Sequence, residues 1–96
     1  VTFRVLSPAQ KDLASALEYY DDQSKGLGAD FLDELEAAIG RVLAHPNAWR
    51  KISENHRCCR MRRFPFGVIY SIESNVVLIS AIMDLHRNPE EWNKRL

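Results

Sequence analysis

Cysteine is scarce in this 96-residue chain: there are two, Cys58 and Cys59, and they are adjacent. Neighbours on a strand point to opposite faces, so these two are badly placed to bond each other. One vicinal pair also cannot staple a small secreted fold. The expectation is two reduced thiols, at least one of them in the core, in a cytoplasmic protein. Long apolar runs are lacking too. None reaches the roughly 18 residues of a membrane span, and no basic-then-apolar start reads as a signal peptide. There are three histidines, His45, His56 and His86, and they lack metal-ligand spacing to each other or to the cysteines. No metal or cofactor is expected. HExxH, a glycine-rich phosphate loop and the GxSxG elbow are all missing, which removes the commonest hydrolase and nucleotide-binding readings. Linkers, repeats and low-complexity segments are missing as well, so residues 1–96 read as a single domain.

Net charge is the last thing the chain lacks, with 13 basic and 13 acidic side chains. That balance hides an asymmetry. Residues 1–48 carry four basic and eight acidic groups, a net of −4; residues 49–96 carry nine and five, a net of +4. The basic excess is densest where Arg50, Lys51, Arg57, Arg60, Arg62 and Arg63 face the single acid Glu54. Such a distribution describes a polar molecule with one cationic surface.

The apolar pattern then orders the chain. Val1, Phe3 and Val5 alternate with polar residues as a short strand does. Ser7 reads as a helix N-cap, Pro8 as the first helical residue and Gln10 as the partner in a capping box. Leu13, Ala16, Leu17 and Tyr20 repeat at helical spacing, and the helix should stop near Asp22–Ser24. A second helix is expected from about Leu27 to Ala44, with Phe31, Leu35, Ala38, Ile39 and Val42 as its apolar stripe and His45-Pro46 as its end. The short connection makes the two an antiparallel hairpin. Residues 47–56 read as a polar loop.

From Arg57 the character is β. Cys59 and Met61 fall on one face, Cys58, Arg60 and Arg62 on the other, and Phe64-Pro65-Phe66 forms a bend. Gly67 to Ile72 and Val76 to Met83 are strands joined by a Ser74-Asn75 turn, both hydrophobic enough for burial on two faces. Asn88, Pro89 and Glu91 open a short final helix carrying Trp92. The fold class is α+β: an N-terminal strand, a helical hairpin, a three-stranded antiparallel meander and a short C-terminal helix, with the helices on one face of the sheet.

For chemistry, the arginine strand carries the strongest signal. Arg60 and Arg62 would project from one face with about 6–7 Å of rise between them. Such a pair can grip phosphates or the acidic side chains of a partner, or stabilise charge developing in phosphodiester cleavage. His86-Arg87 at the end of the last strand could act as acid or base against a phosphate.

The stretches RCCRMRRFPFGVIYSI and VVLISAIMDLHRNPEEW resemble the ParE branch of the RelE/ParE toxins of bacterial type II toxin–antitoxin systems. The pattern R-x-x-R-F-P-[FY]-x-[IV]-x-Y matches at Arg60, Arg63, Phe64, Pro65, Phe66, Val68 and Tyr70. The pattern A-[IV]-x-x-x-x-R-x-P-x-x-W matches at Ala81, Ile82, Arg87, Pro89 and Trp92. With the strand and hairpin before them, the resemblance covers essentially the whole chain. It implies the compact RelE/ParE-like fold and the toxin half of a plasmid-stabilisation system. It also implies a cognate antitoxin whose extended, often disordered segment wraps the toxin in a hetero-oligomer. Arg57, Arg60, Arg62, Arg63, Arg87 and Trp92 are the partner-binding candidates.

Branches of the family differ in target. ParE-like members inhibit DNA gyrase and are not enzymes; RelE-like members cleave mRNA in the ribosome. Carried onto this chain, the RelE set gives Arg60, Arg62, His86 and Arg87 as catalytic candidates, with Trp92 near the terminal tyrosine. Gly67 stands where RelE-like enzymes have an arginine, and tryptophan cannot transfer a proton as tyrosine can. Inhibition of gyrase is the expectation. The alternatives are a ribosome-dependent endonuclease and an inactive relative that keeps antitoxin binding.

Overall fold

The computed structural model describes residues 2–87 and Lys94. The expected C-terminal helix and Trp92 lie outside them. Element order is β1 (Thr2–Val5), α1 (Ser7–Gln23), α2 (Leu27–Ala44), β2 (Arg50–Lys51), β3 (Arg57–Arg60), β4 (Phe66–Glu73) and β5 (Val76–Asp84). The strands form one sheet in the order β1-β5-β4-β3-β2. All neighbours are antiparallel except β1 and β5, which run parallel from Thr2↔Val76 to Val5↔Ile79. The α+β reading and the meander stand as expected. β1 joins that meander as an edge strand of the same sheet.

The start of α1 differs from the capping-box expectation. The N-cap is Leu6, not Ser7, and no side chain caps the helix. The Leu6 N–H still donates to the Ile79 carbonyl at 3.0 Å, so the sheet holds the chain one residue short of the expected cap. Gln10 reaches back instead as a donor, its Nε2 lying 2.8 Å from the Val5 carbonyl oxygen. At the other end of α1, Asp21 caps the next helix: its Oδ1 accepts the Gly28 N–H at 2.9 Å. A Cβ on Gly28 would lie 2.6 Å from that carboxylate, so glycine lets the two helices close up. The connection turns through Gly26 in the left-handed region, at φ 86°.

Residues 47–56 are not a loose loop. β2 pairs with the start of β3, Arg50 opposite Cys58 and Lys51 opposite Arg57. Three further bonds pin the segment: Tyr70 O–H to the Pro46 carbonyl at 2.6 Å, Arg57 Nη1 to the Trp49 carbonyl at 2.8 Å and Trp49 Nε1 to the Arg41 carbonyl at 3.3 Å. A two-residue strand made of Arg and Lys has no apolar periodicity, which is why it escapes a pattern reading.

The core lies between the hairpin and one face of the sheet. Phe31, Leu35, Ala38 and Val42 of α2 meet Cys59, Val68, Tyr70, Val77, Ile79 and Ile82. Cys58, Ile69, Ala81 and Met83 form a second buried cluster. The two thiols therefore open to opposite faces, as their adjacency requires. β5 serves both clusters through a bulge. Ile69 pairs with Ala81 but Tyr70 pairs with Ile79, so Ser80 is the extra residue. Val77 and Ile79 face the helices before it; Ile82 does so after it, with inverted parity. The two-faced burial expected of both long strands holds at residues 67–70 of β4 and 81–83 of β5. Ile72 is 38% exposed, and Phe3 on β1 is 43% exposed. Ser74 and Asn75 form the β4–β5 turn with φ of 49° and 67°.

Candidate functional site

The structure divides the arginine cluster. β3 ends at Arg60, and residues 62–65 form a bend, so Arg62 does not extend the strand beside Arg60. The bend is anchored by aromatic packing. Phe64 lies 4.8 Å from Tyr20 and 5.1 Å from Phe31 in edge contacts, and Phe66 lies 5.0 Å from Phe31, all between ring centroids. The pair expected side by side on one strand face is therefore split, Arg60 closing β3 and Arg62 lying in the bend that follows.

Two other candidates are committed to the framework. Arg57 holds the Trp49 carbonyl, as above, and sits half-buried. Arg63 is tied to α2: its Nη1 lies 3.2 Å from Asp30 Oδ2, its backbone N–H donates to Glu34 Oε1 at 3.0 Å, and its guanidinium sits 5.6 Å from the Phe64 ring centre. Even the Arg60 carbonyl is engaged, accepting from Arg41 Nη2 at 3.2 Å. The side chains that project from this end are those of Arg60 and Arg62, both exposed.

His86 and Arg87 follow β5 in a turn beside the 62–65 bend, with the Leu85 N–H bonded to the Pro65 carbonyl at 2.8 Å. The structure thus brings His86 and Arg87 to the same end of the sheet as Arg60 and Arg62. The His86 side chain is 78% exposed, and its Nδ1 is 4.0 Å from Asp84 Oδ1. The Asp84 carboxylate also accepts the His86 N–H at 2.9 Å, and the Arg87 N–H donates to the Asp84 carbonyl at 3.2 Å.

Gly67 has no room for a side chain unless Cys58 and Leu85 shift. A Cβ there would lie 2.5 Å from Cys58 Sγ, with the two Leu85 methyls at 3.2 and 3.3 Å. Both thiols are held protonated by burial, which pushes Cys58 up to about 11 and raises Cys59 as well. They are core side chains without nucleophilic character. Among the described residues no group of His, Cys, Asp or Glu is placed to hold a metal, and no helix is long and apolar enough to cross a membrane.

A groove that the sequence did not announce runs beside this end, between α1 and the far half of β5. Its volume is about 640 Å³, with Asp12 and Tyr19 on one wall, Ile82 and Asp84 on the other, and Phe66 and His86 toward its end. Asp12 Oδ2 accepts the Ile82 N–H at 3.0 Å across 70 positions of sequence. No local pattern could have signalled a pairing so distant.

The fold and the motifs carried on it match the family model described as ParE toxin of type II toxin-antitoxin system, parDE, over residues 3–89. The chain belongs to the ParE toxin family. Among solved structures it is similar to a chain of the chromosomal ParDE TA system from P. aeruginosa. The TM-score is 0.78 at 15% identity, covering 88% of this chain and 96% of that one. The likeness is therefore one of fold. No curated protein sequence gives a match. Membership in the ParE family makes this chain a type II toxin by kinship and implies an antitoxin as its partner. The residues that carry the family motif are mostly framework here: Phe64 and Phe66 in the aromatic cluster, Tyr70 on Pro46, Arg63 on α2.

Proposed function

We propose that this ParE-family toxin acts by binding, inhibiting DNA gyrase when it is free of its antitoxin. It works in the cytoplasm, forms a hetero-oligomer with that antitoxin and serves plasmid stabilisation. Arg60 and Arg62 are the partner-binding side chains that project freely enough to meet an acidic surface, with Arg87 at the same end of the sheet. Arg57 braces the site from a half-buried position, and Arg63, itself exposed, is tied to α2 beside it.

The observation that carries the binding reading is Gly67. The resemblance puts a nuclease arginine at this position, and here Cys58 and Leu85 fill the space that such a side chain needs. Purified protein should abolish supercoiling by gyrase, and expression without the antitoxin should arrest growth. Full supercoiling at saturating protein removes gyrase as the target. Expression without any growth defect marks an inactive relative.

One arrangement favours cleavage instead. His86 and Arg87 lie beside the bend that carries Arg62, so a histidine and several cations share one end of the sheet. In that reading Arg60, Arg62 and Arg87 stabilise charge and His86 moves a proton. Primer extension on translated messages after induction decides between the two, since new breaks within codons belong to the nuclease alone.

A further inference from the structure

We propose that a small cleft beside β2, at the opposite end of β3 from Arg60, binds a single phosphate group through Lys51 and Arg57.

The strand register builds the floor of this cleft. Lys51 pairs with Arg57 across β2 and β3, and Arg57 pairs with Tyr70 across β3 and β4. Residues directly opposite in antiparallel strands share a face, so the three form one row. Tyr70 belongs to the core under the hairpin, which puts the row on the helix side of the sheet. The cleft over it has a volume of about 190 Å³. Asn47 enters from the α2–β2 connection, Asn55 from the bend after β2 and Ser71 from β4. Two cations, two amides and a hydroxyl thus meet in one small space.

Arg57 supplies the reason for a charged occupant. It is half-buried, and its bond to the Trp49 carbonyl at 2.8 Å uses Nη1 alone. A guanidinium has further donors to satisfy. Among the described residues no carboxylate forms an ion pair with Arg57 or with Lys51. Charges taken partly out of water normally carry such a partner. The Tyr70 hydroxyl cannot serve as one, since it donates to the Pro46 carbonyl at 2.6 Å. Glu54 is the one acid on the lining, and it stands exposed in the bend after β2. The cleft therefore keeps an excess of positive charge and of donors.

Size and charge choose the anion. Ordinary ligand clefts hold roughly 300–1,000 Å³, so this one takes a compact tetrahedral oxyanion and leaves a nucleoside outside. A phosphate monoester carries a charge of about −1.5 to −2 near neutral pH, which answers two cations; a carboxylate carries less. Guanidinium and ammonium groups both bond phosphate oxygens with charge assistance. The group recognised is the same in free phosphate and at the end of a nucleotide. Its binding ties the α2–β2 connection, β2 and β4 together, so stability should rise with its concentration.

The test titrates inorganic phosphate, adenosine monophosphate and acetate, at constant ionic strength, into the nitrogen-15-labelled full chain. Both phosphates should move the amide signals of Lys51, Asn55 and Ser71 to saturation and raise the melting temperature. Equal affinity for the two identifies free phosphate as sufficient; tighter binding of the monophosphate adds a contact from the nucleoside outside the cleft. Lys51→Gln, at an exposed position, should weaken binding roughly fivefold or more without lowering the melting temperature of the free protein. Arg57→Gln should weaken it as well, and Glu54→Gln should tighten it. Lys11→Gln on α1 removes the same charge far from the cleft and should leave the affinity unchanged. Absence of saturable shifts with both phosphates overturns the site. Equal weakening by Lys11→Gln and Lys51→Gln reduces it to general charge attraction, and acetate binding as tightly as phosphate overturns the choice of anion.

Discussion

At the scale of single residues, Gly67 and Cys58 set a steric limit that can be measured. Gly67→Ala forces a methyl against the Cys58 sulfur and should cost about 1–3 kcal/mol of unfolding free energy. Adding Cys58→Ala should restore part of that loss, because the two positions share one contact. Urea unfolding of the four members of this cycle checks it; additive losses would mean that the strain lies elsewhere. The raised acidities of Cys58 and Tyr70 give a second prediction. Burial pushes Cys58 from 9.0 to about 11 and Tyr70 from 10.0 to about 12. Both groups are favoured neutral in the fold, so the unfolded chain loses these protons first as pH rises. Their stabilising share is complete below pH 9 and should fall through pH 9–12. A melting temperature that stays level across that window contradicts the assignment, and in Cys58→Ala the earlier part of the fall should shrink to the share of Cys59. Neither thiol should react with a thiol reagent at neutral pH until the chain is unfolded.

At the scale of elements, the helical hairpin depends on a cap supplied from outside its own helix. Asp21 lies on α1 and satisfies the N-terminus of α2 at Gly28. Asp21→Ala should cost about 1 kcal/mol, as the loss of an N-cap does, and should loosen both helices together. Circular dichroism during urea unfolding measures it, and a loss under about 0.3 kcal/mol would show that solvent caps α2 equally well. The β4–β5 turn invites the opposite change. Ser74 and Asn75 both have positive φ, where a two-residue hairpin prefers Asn-Gly. Replacing the pair with Asn-Gly should raise stability by about 1 kcal/mol.

Elements also show how much the sequence discloses. Helical periodicity placed α2 at Leu27–Ala44 because six of its residues are buried on one stripe. The turn chemistry of Ser74-Asn75 located the hairpin. Local signals fail where a partner is remote. Nothing near Ser7 indicates that Leu6 will be held by Ile79, and nothing near Arg50 indicates a strand. For the candidate site, composition found the cationic end but could not sort its members. Asp30, Glu34 and Trp49 decide that Arg63 and Arg57 are engaged while Arg60 and Arg62 project, and they reach the site only through the fold.

At the scale of the whole molecule, the balanced charge resolves into an acidic hairpin joined to a sheet whose β2–β3 side is basic. Arg60→Ala with Arg62→Ala removes two exposed charges and should change stability by less than about 0.5 kcal/mol. Affinity for the antitoxin should drop, and its dependence on salt should become shallower, since fewer charges are then screened. Titration at two ionic strengths reads both effects, and unchanged affinity would mean that these arginines only solvate the strand end.

The parallel pairing of β1 with β5 has a consequence for synthesis of the chain. Thr2 cannot find Val76 until nearly four-fifths of these 96 residues have been made. The hairpin of α1 and α2 contains only local contacts and can assemble much earlier, as the nascent chain emerges. β1 waits for its partner. A ribosome still translating this message therefore holds a helical pair and an unpaired strand, and the assembled sheet comes last. For a toxin, that order delays the finished surface until β5 has emerged, the stage at which an antitoxin already present in the cell can meet it.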